Sequence, residues 1–256
     1  MKKSIFLLLC LTITNAVFAQ KQIPEAKVSE IQHTFLKWWT YQTKNIMLSR
    51  DFIPLTVASK PTTKEFFFNE LLTGKYIPVK MKSKSTEFVY QLYPIAAKAD
   101  SSIKATIVQS TFDELEHLKM EGKAFPEFQF NDLNGTEMNN NSFKGKIVVI
   151  KCWYIHCAAC IKEFPSVNEL VANYKNRKDI VFVSLAEDTP EDLLAFLQRK
   201  PLSYSVVPNQ KWFMNAKLNL NSFPTHIIIN KEGYISKVVS NVESLEVALQ
   251  KESKIP

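Results

Sequence analysis

The chain has 256 residues, 46% hydrophobic and 12% aromatic. This composition excludes a disordered polypeptide and supplies a core for one large domain or two small ones. Its formal charge of +7 is spread over lysines, with no arginine-rich run, a solvated basic surface that argues against nucleic acid as a partner.

In chain order, Lys2 and Lys3 precede an apolar run from Ile5 to Val17, and Val17-Phe18-Ala19 offers small residues for a cut. This is the layout of a signal peptide over residues 1–19. The run is short for a membrane span of about 20 residues, although an uncleaved anchor is the alternative. Cys10 is expected to leave with the signal, so the exported chain keeps Cys152, Cys157 and Cys160. An odd count in an exported protein points to a reactive thiol rather than a purely structural framework.

Residues 20–120 read as a smaller α+β segment. Val28, Ile31, Phe35 and Trp38 recur at helical spacing. A second helix is predicted from Thr62, with Thr62 and Glu65 as a capping box and Gly74 as its stop. Tyr76–Met81 and Phe88–Tyr93 alternate as strands, and the stretch from Asp100 to Gly122 reads as a helix broken near Thr111. This segment has no cysteine, glycine-rich loop or clustered acid pair, and nothing in it indicates a function.

The pattern changes at Glu121-Gly122. Residues 121–256 read as strand, turn at Asn134-Gly135 and strand, then a buried central strand over Ile147–Trp153. A helix follows from Cys157 to Tyr174, kinked at Pro165. Next come a buried strand, a helix capped by Thr189 with Pro190 at its first position, a short strand and a short helix. The chain closes with a hairpin around Lys231-Glu232-Gly233 and a helix from Val242. The order β-β-β-α-β-α-β-α-β-β-α argues for a mixed sheet flanked by helices.

Within this region Trp153 precedes the pair Cys157 and Cys160, followed by Lys162-Glu163-Phe164-Pro165 and, far downstream, Phe223-Pro224-Thr225-His226. From Glu121 to Lys251 the ordered set resembles the thioredoxin fold of the TlpA/ResA-like thiol-disulfide oxidoreductases of the bacterial envelope. The resemblance implies an α/β fold, a thioredoxin-like mixed sheet flanked by helices. It implies exchange through a Cys157/Cys160 dithiol with no cofactor, disulfide-containing envelope proteins as substrates, and a membrane thiol electron donor.

Physical chemistry agrees. A thiolate is the attacking species, and a helix N-terminus stabilises it, which makes Cys157 the nucleophile and Cys160, one turn on, the resolving thiol. Glu163 lies three residues past Cys160 and is read as the proton carrier; Lys151 stands where thioredoxins bury an aspartate. Pro224 takes the place of the family's cis-proline. Trp153, His156, Phe223 and Pro224 are the expected substrate-binding residues. His156 would favour the thiolate if protonated. Cys152 reads as a small hydrophobe on the central strand.

The alternatives are a redox-inactive binding module, or a copper-handling protein using the cysteine pair with His156 or His226. Structural zinc lacks a second Cys-x-x-Cys. A thiol peroxidase would place threonine where Tyr154 stands.

Overall fold

The computed structural model describes residues 23–84 and 87–255, so the proposed signal peptide and Cys10 lie outside the described residues. The N-terminal lobe runs α1 (Val28–Ile31), α2 (Phe35–Asn45), β1 (Phe52–Leu55), α3 (Lys64–Leu72), β2 (Tyr76–Lys80), β3 (Phe88–Pro94) and α4 (Ser101–Met120). Its three strands pair in the order β1-β3-β2, the first pair parallel and the second antiparallel. One apolar core, centred on Trp38, Phe67, Phe68 and Tyr90, lies under this sheet.

Three local expectations are corrected here. The predicted first helix is two, because Thr34 turns extended and caps α2, its hydroxyl accepting from the Lys37 amide at 3.3 Å. The cap of α3 is Thr63 rather than Thr62: its hydroxyl accepts from the Phe66 amide at 3.1 Å. Helix α4 is continuous through Thr111, whose side chain is buried within the lobe. Thr63→Ala is expected to lower stability by about 1 kcal/mol, and Thr62→Ala to leave it nearly unchanged. Thermal unfolding of the two variants checks this.

The second lobe contains the hairpin β4 (Gln129–Asn131) and β5 (Glu137–Asn139), a short helix α5 (Asn140–Phe143) absent from the sequence reading, and β6 (Ile147–Trp153). The order continues α6 (Ala158–Lys162), α7 (Phe164–Asn173), β7 (Ile180–Ala186), α8 (Pro190–Leu197) and β8 (Ser205–Val207). A single π-helical turn at Phe213–Lys217 leads to β9 (Thr225–Ile229), β10 (Ile235–Val239) and α9 (Val242–Glu252). The five-stranded sheet has the order β10-β9-β6-β7-β8; β6, β7 and β8 are parallel, while β9 runs against both β6 and β10.

Every residue of β6 is buried, as its near-continuous apolar run requires for a central strand covered on both faces. Side chains alternate across it: Val148, Ile150 and Cys152 enter one core, while Ile147 and Val149 enter the other beside α7 and α9.

Backbone from the connecting segment reaches one outer strand, β10, and the β4–β5 turn reaches the other, β8. Ile235 of β10 donates to the Lys123 carbonyl and accepts from the Gly122 amide, each at 2.8 Å. Glu121 accepts from the Val238 amide at 3.2 Å, and on the far side the Leu133 amide donates to the Val206 carbonyl of β8 at 2.9 Å.

Candidate active site

The strand β6 delivers the site. At its end the chain turns through Tyr154, Ile155 and His156, and this turn is held by Asp188, whose carboxylate accepts from the Ile155 amide at 2.8 Å. Asp188 was not picked out from the sequence; its only signal there is its place just after a buried strand. Cys157 then caps α6, and its sulfur accepts from the Cys160 amide at 3.2 Å. An unpaired helix amide aimed at this sulfur stabilises negative charge on it.

Cys157 and Cys160 are joined as a disulfide with Cα atoms 5.2 Å apart. Cys157 retains 6% exposure and Cys160 none, the asymmetry needed for an outer attacking sulfur and an inner resolving one. The single long helix of the sequence reading is two, α6 and α7, meeting at Glu163. Pro165, at the second position of α7, has no amide to continue the ladder from α6.

Phe223-Pro224 is a cis peptide. Pro224 is buried and Phe223 half-buried, its ring edge-on to Tyr154 at 5.6 Å between centroids. His156 is exposed beside Cys157. Trp153 needs correction as a substrate-touching residue: it is fully buried, packed edge-on against Phe164 at 5.0 Å. It supports the dithiol from beneath, in the same apolar cluster as both cysteines.

Below that layer the sequence reading had named Lys151, Glu163 and His226 separately; the fold brings them together. Lys151 and His226 are register partners on β6 and β9, both fully buried. Glu163 Oε2 accepts from Lys151 Nζ at 2.9 Å and His226 Nε2 at 3.0 Å, while Oε1 accepts from the Val242 amide at the start of α9 at 2.8 Å. Burial opposes the charge of Glu163, but the hydrogen bond from His226 and the Lys151 ammonium outweigh it and hold the carboxyl at about 2. Burial and the neighbouring Lys151 push His226 below its ordinary value. The neutral imidazole therefore carries its proton on Nε2, facing the carboxylate. Its Nδ1 has no hydrogen-bond partner among the described residues.

His226 is thus turned inward and engaged with Glu163, which removes it from the copper-binding alternative. Cys152 is fully buried, and burial drives its thiol up to about 12, an inert core position.

The AhpC/TSA family profile matches residues 122–238. Among curated proteins, the chain is 29% identical over 149 residues to the thiol-disulfide oxidoreductase ResA of Bacillus cereus, covering 57% of this chain and 86% of that protein. It is 28% identical over 130 residues to the thioredoxin-like protein YneN of Bacillus subtilis, covering 50% of this chain and 76% of that protein. Among solved structures, the thioredoxin domain of a Bacteroides vulgatus thiol-disulfide oxidoreductase superposes with a TM-score of 0.47 at 23% identity, covering 51% of this chain and 96% of that chain.

The stretch matched by the AhpC/TSA profile lies within the second lobe and contains both Cys157 and Cys160. The Cys157/Cys160 pair thus lies in the part of the chain that is similar to proteins named thiol-disulfide oxidoreductases.

Proposed function

We propose that the protein is exported to the periplasm and works there as a reductase of disulfides in other envelope proteins, re-reduced by a membrane thiol donor. The observation that carries this reading is the dithiol itself: a nearly buried pair whose outer sulfur is capped by a helix amide, beside the loop of Phe223-Pro224. The layout of residues 1–19 supports export. No helix among the described residues is long and apolar enough to cross a membrane.

In the reaction, the Cys157 thiolate attacks one sulfur of a substrate disulfide and expels the other. The Cys160 thiol, once deprotonated, attacks the mixed disulfide and releases the reduced substrate, leaving Cys157–Cys160 oxidised. The backbone around Phe223-Pro224 pairs with the extended substrate segment, and Phe223 and His156 flank the sulfur. Glu163 acts with Lys151 and His226 as one buried proton-handling unit beneath the pair. A carboxylate already matched by an ammonium is a weak base alone, and its partners set where a proton can rest.

The direction of the reaction rests on how strongly the Cys157 thiolate is stabilised. One capping amide favours it, and the charge of Glu163 is offset by Lys151. This supports a moderately acidic Cys157. Equilibration of the purified protein with a dithiothreitol redox buffer is expected to give a potential nearer the roughly −270 mV of thioredoxin than the roughly −120 mV of the strongly oxidising members of this chemistry. A value at the oxidising end sinks the reductase assignment.

A further inference from the structure

Helix α4 and the loop that leads into β9 lie side by side and run in opposite directions. Glu116 Oε2 accepts from Asn219 Nδ2 at 3.2 Å. One turn earlier in the helix, Asp113 lies close enough to the Ser222 side chain for Ser222 to favour its charged form. Beside it, Glu114 accepts from the Ser240 hydroxyl at 2.9 Å. The contact therefore advances along the loop from 219 to 222 as it recedes along the helix from 116 to 113.

The sheet register fixes which end of the molecule this is. Thr225, at the start of β9, pairs with Cys152 near the end of β6, and Val239, at the end of β10, pairs with His226. Ser222 and Ser240 thus sit at the end of the sheet from which the dithiol emerges, and so does this part of α4. Phe112 lies one turn before Glu116 on the same helical stripe, about 6 Å along the axis. That places it at the level of Ser222 and Phe223. It is a phenylalanine with 46% of its surface exposed, on a helix whose inward face is already buried against its own lobe.

We infer that Phe112 is a specificity-determining residue: together with Phe223 it clasps an apolar side chain next to the reacting cysteine of an extended substrate segment. The inference rests on the oxidoreductase reading and gives the N-terminal lobe a part in it. A segment laid along the backbone at Ser222-Phe223 meets the Cys157 face on one side and α4 on the other. An aromatic ring at that height takes aliphatic side chains and gains nothing from glycine. Glu116, bonded to Asn219, is the positioning residue that sets the register of helix against loop, with Asp113 beside Ser222.

The test uses the full chain and three disulfide probes: a bridged peptide with leucine beside its cysteine, the same peptide with glycine there, and hydroxyethyl disulfide. Phe112→Ala is expected to raise KM for the leucine peptide about fivefold with kcat unchanged, and to leave the other two probes unaltered. Phe112→Leu should restore most of the loss. Equal behaviour of wild type and Phe112→Ala on the leucine peptide overturns the inference, as does an equal loss on all three probes, which marks a structural effect. A wild-type chain that exchanges with none of the probes overturns the oxidoreductase reading itself, and this inference with it.

Discussion

Cys157→Ser is expected to abolish disulfide reduction, and Cys160→Ser to accumulate mixed disulfides with partner proteins. The two sulfurs differ in ways that make the outcome asymmetric. Cys157 keeps a narrow opening to solvent and receives the Cys160 amide, whereas Cys160 is sealed from solvent. An incoming disulfide can reach the first and not the second. Without Cys157 there is no attack, so turnover should fall to the background rate. Without Cys160 the attack proceeds, but no internal thiol expels the partner. Non-reducing electrophoresis of the Cys160→Ser protein after exposure to envelope extract reads this directly, with insulin reduction as the activity measure. A Cys157→Ser protein of full activity refutes the assignment. Cys152 offers no substitute, because burial keeps its thiol protonated.

The second large effect belongs to Glu163. Its carboxylate is the counter-charge of a lysine with no exposed side-chain surface. Removing one partner of a buried pair leaves the other uncompensated, which costs about 3–5 kcal/mol. Glu163→Gln should therefore shift the urea midpoint strongly at pH 7, and Lys151→Met together with Glu163→Gln should recover much of the loss, since an apolar replacement of a whole pair is often neutral. The pH dependence has a definite sign. The folded carboxyl is held at about 2 against an ordinary 4.5, so its contribution is complete above about 4.5. It drains away as pH falls toward 2, and the gap between wild type and Glu163→Gln closes over that window. On the proposed proton-handling role, the pH–rate profile of insulin reduction should also change in Glu163→Gln, because the buried trio of Lys151, Glu163 and His226 loses its acceptor. An unchanged midpoint at pH 7 shows that the pair stabilises nothing.

The second lobe was largely legible in the sequence because its signals are local and strong. The unbroken apolar run of β6, the Asn134-Gly135 turn and the Thr189-Pro190 helix start each determine their own element. Cys157 and Cys160 were legible for the same reason, their spacing placing both on one helical turn. What could not be read was contact between distant residues. Lys151, Glu163 and His226 are each recognisable, but their meeting depends on β9 lying beside β6 and on the helix break at Glu163. Trp153 misled because its motif position carries no information on which way the ring turns. In the N-terminal lobe, caps decided between neighbouring threonines by backbone conformation, which composition does not encode. The approach of α4 to the 219–222 loop, two segments a hundred residues apart, left no trace in either one.

The hydrogen bonds that the connecting segment and the β4–β5 turn make to the outer strands bear on how the protein behaves at high concentration. An unpaired strand at the rim of a sheet is a template for a neighbour's backbone, and so a route to aggregation. Here the rim at β10 is occupied by Gly122 and Lys123, and the rim at β8 meets Leu133. The stretch that joins the two lobes thus acts as selvedge at one border, and the β4–β5 turn finishes the other. With these rims occupied, the proposed pairing of a substrate segment with the backbone beside the dithiol has less competition from edge-to-edge association.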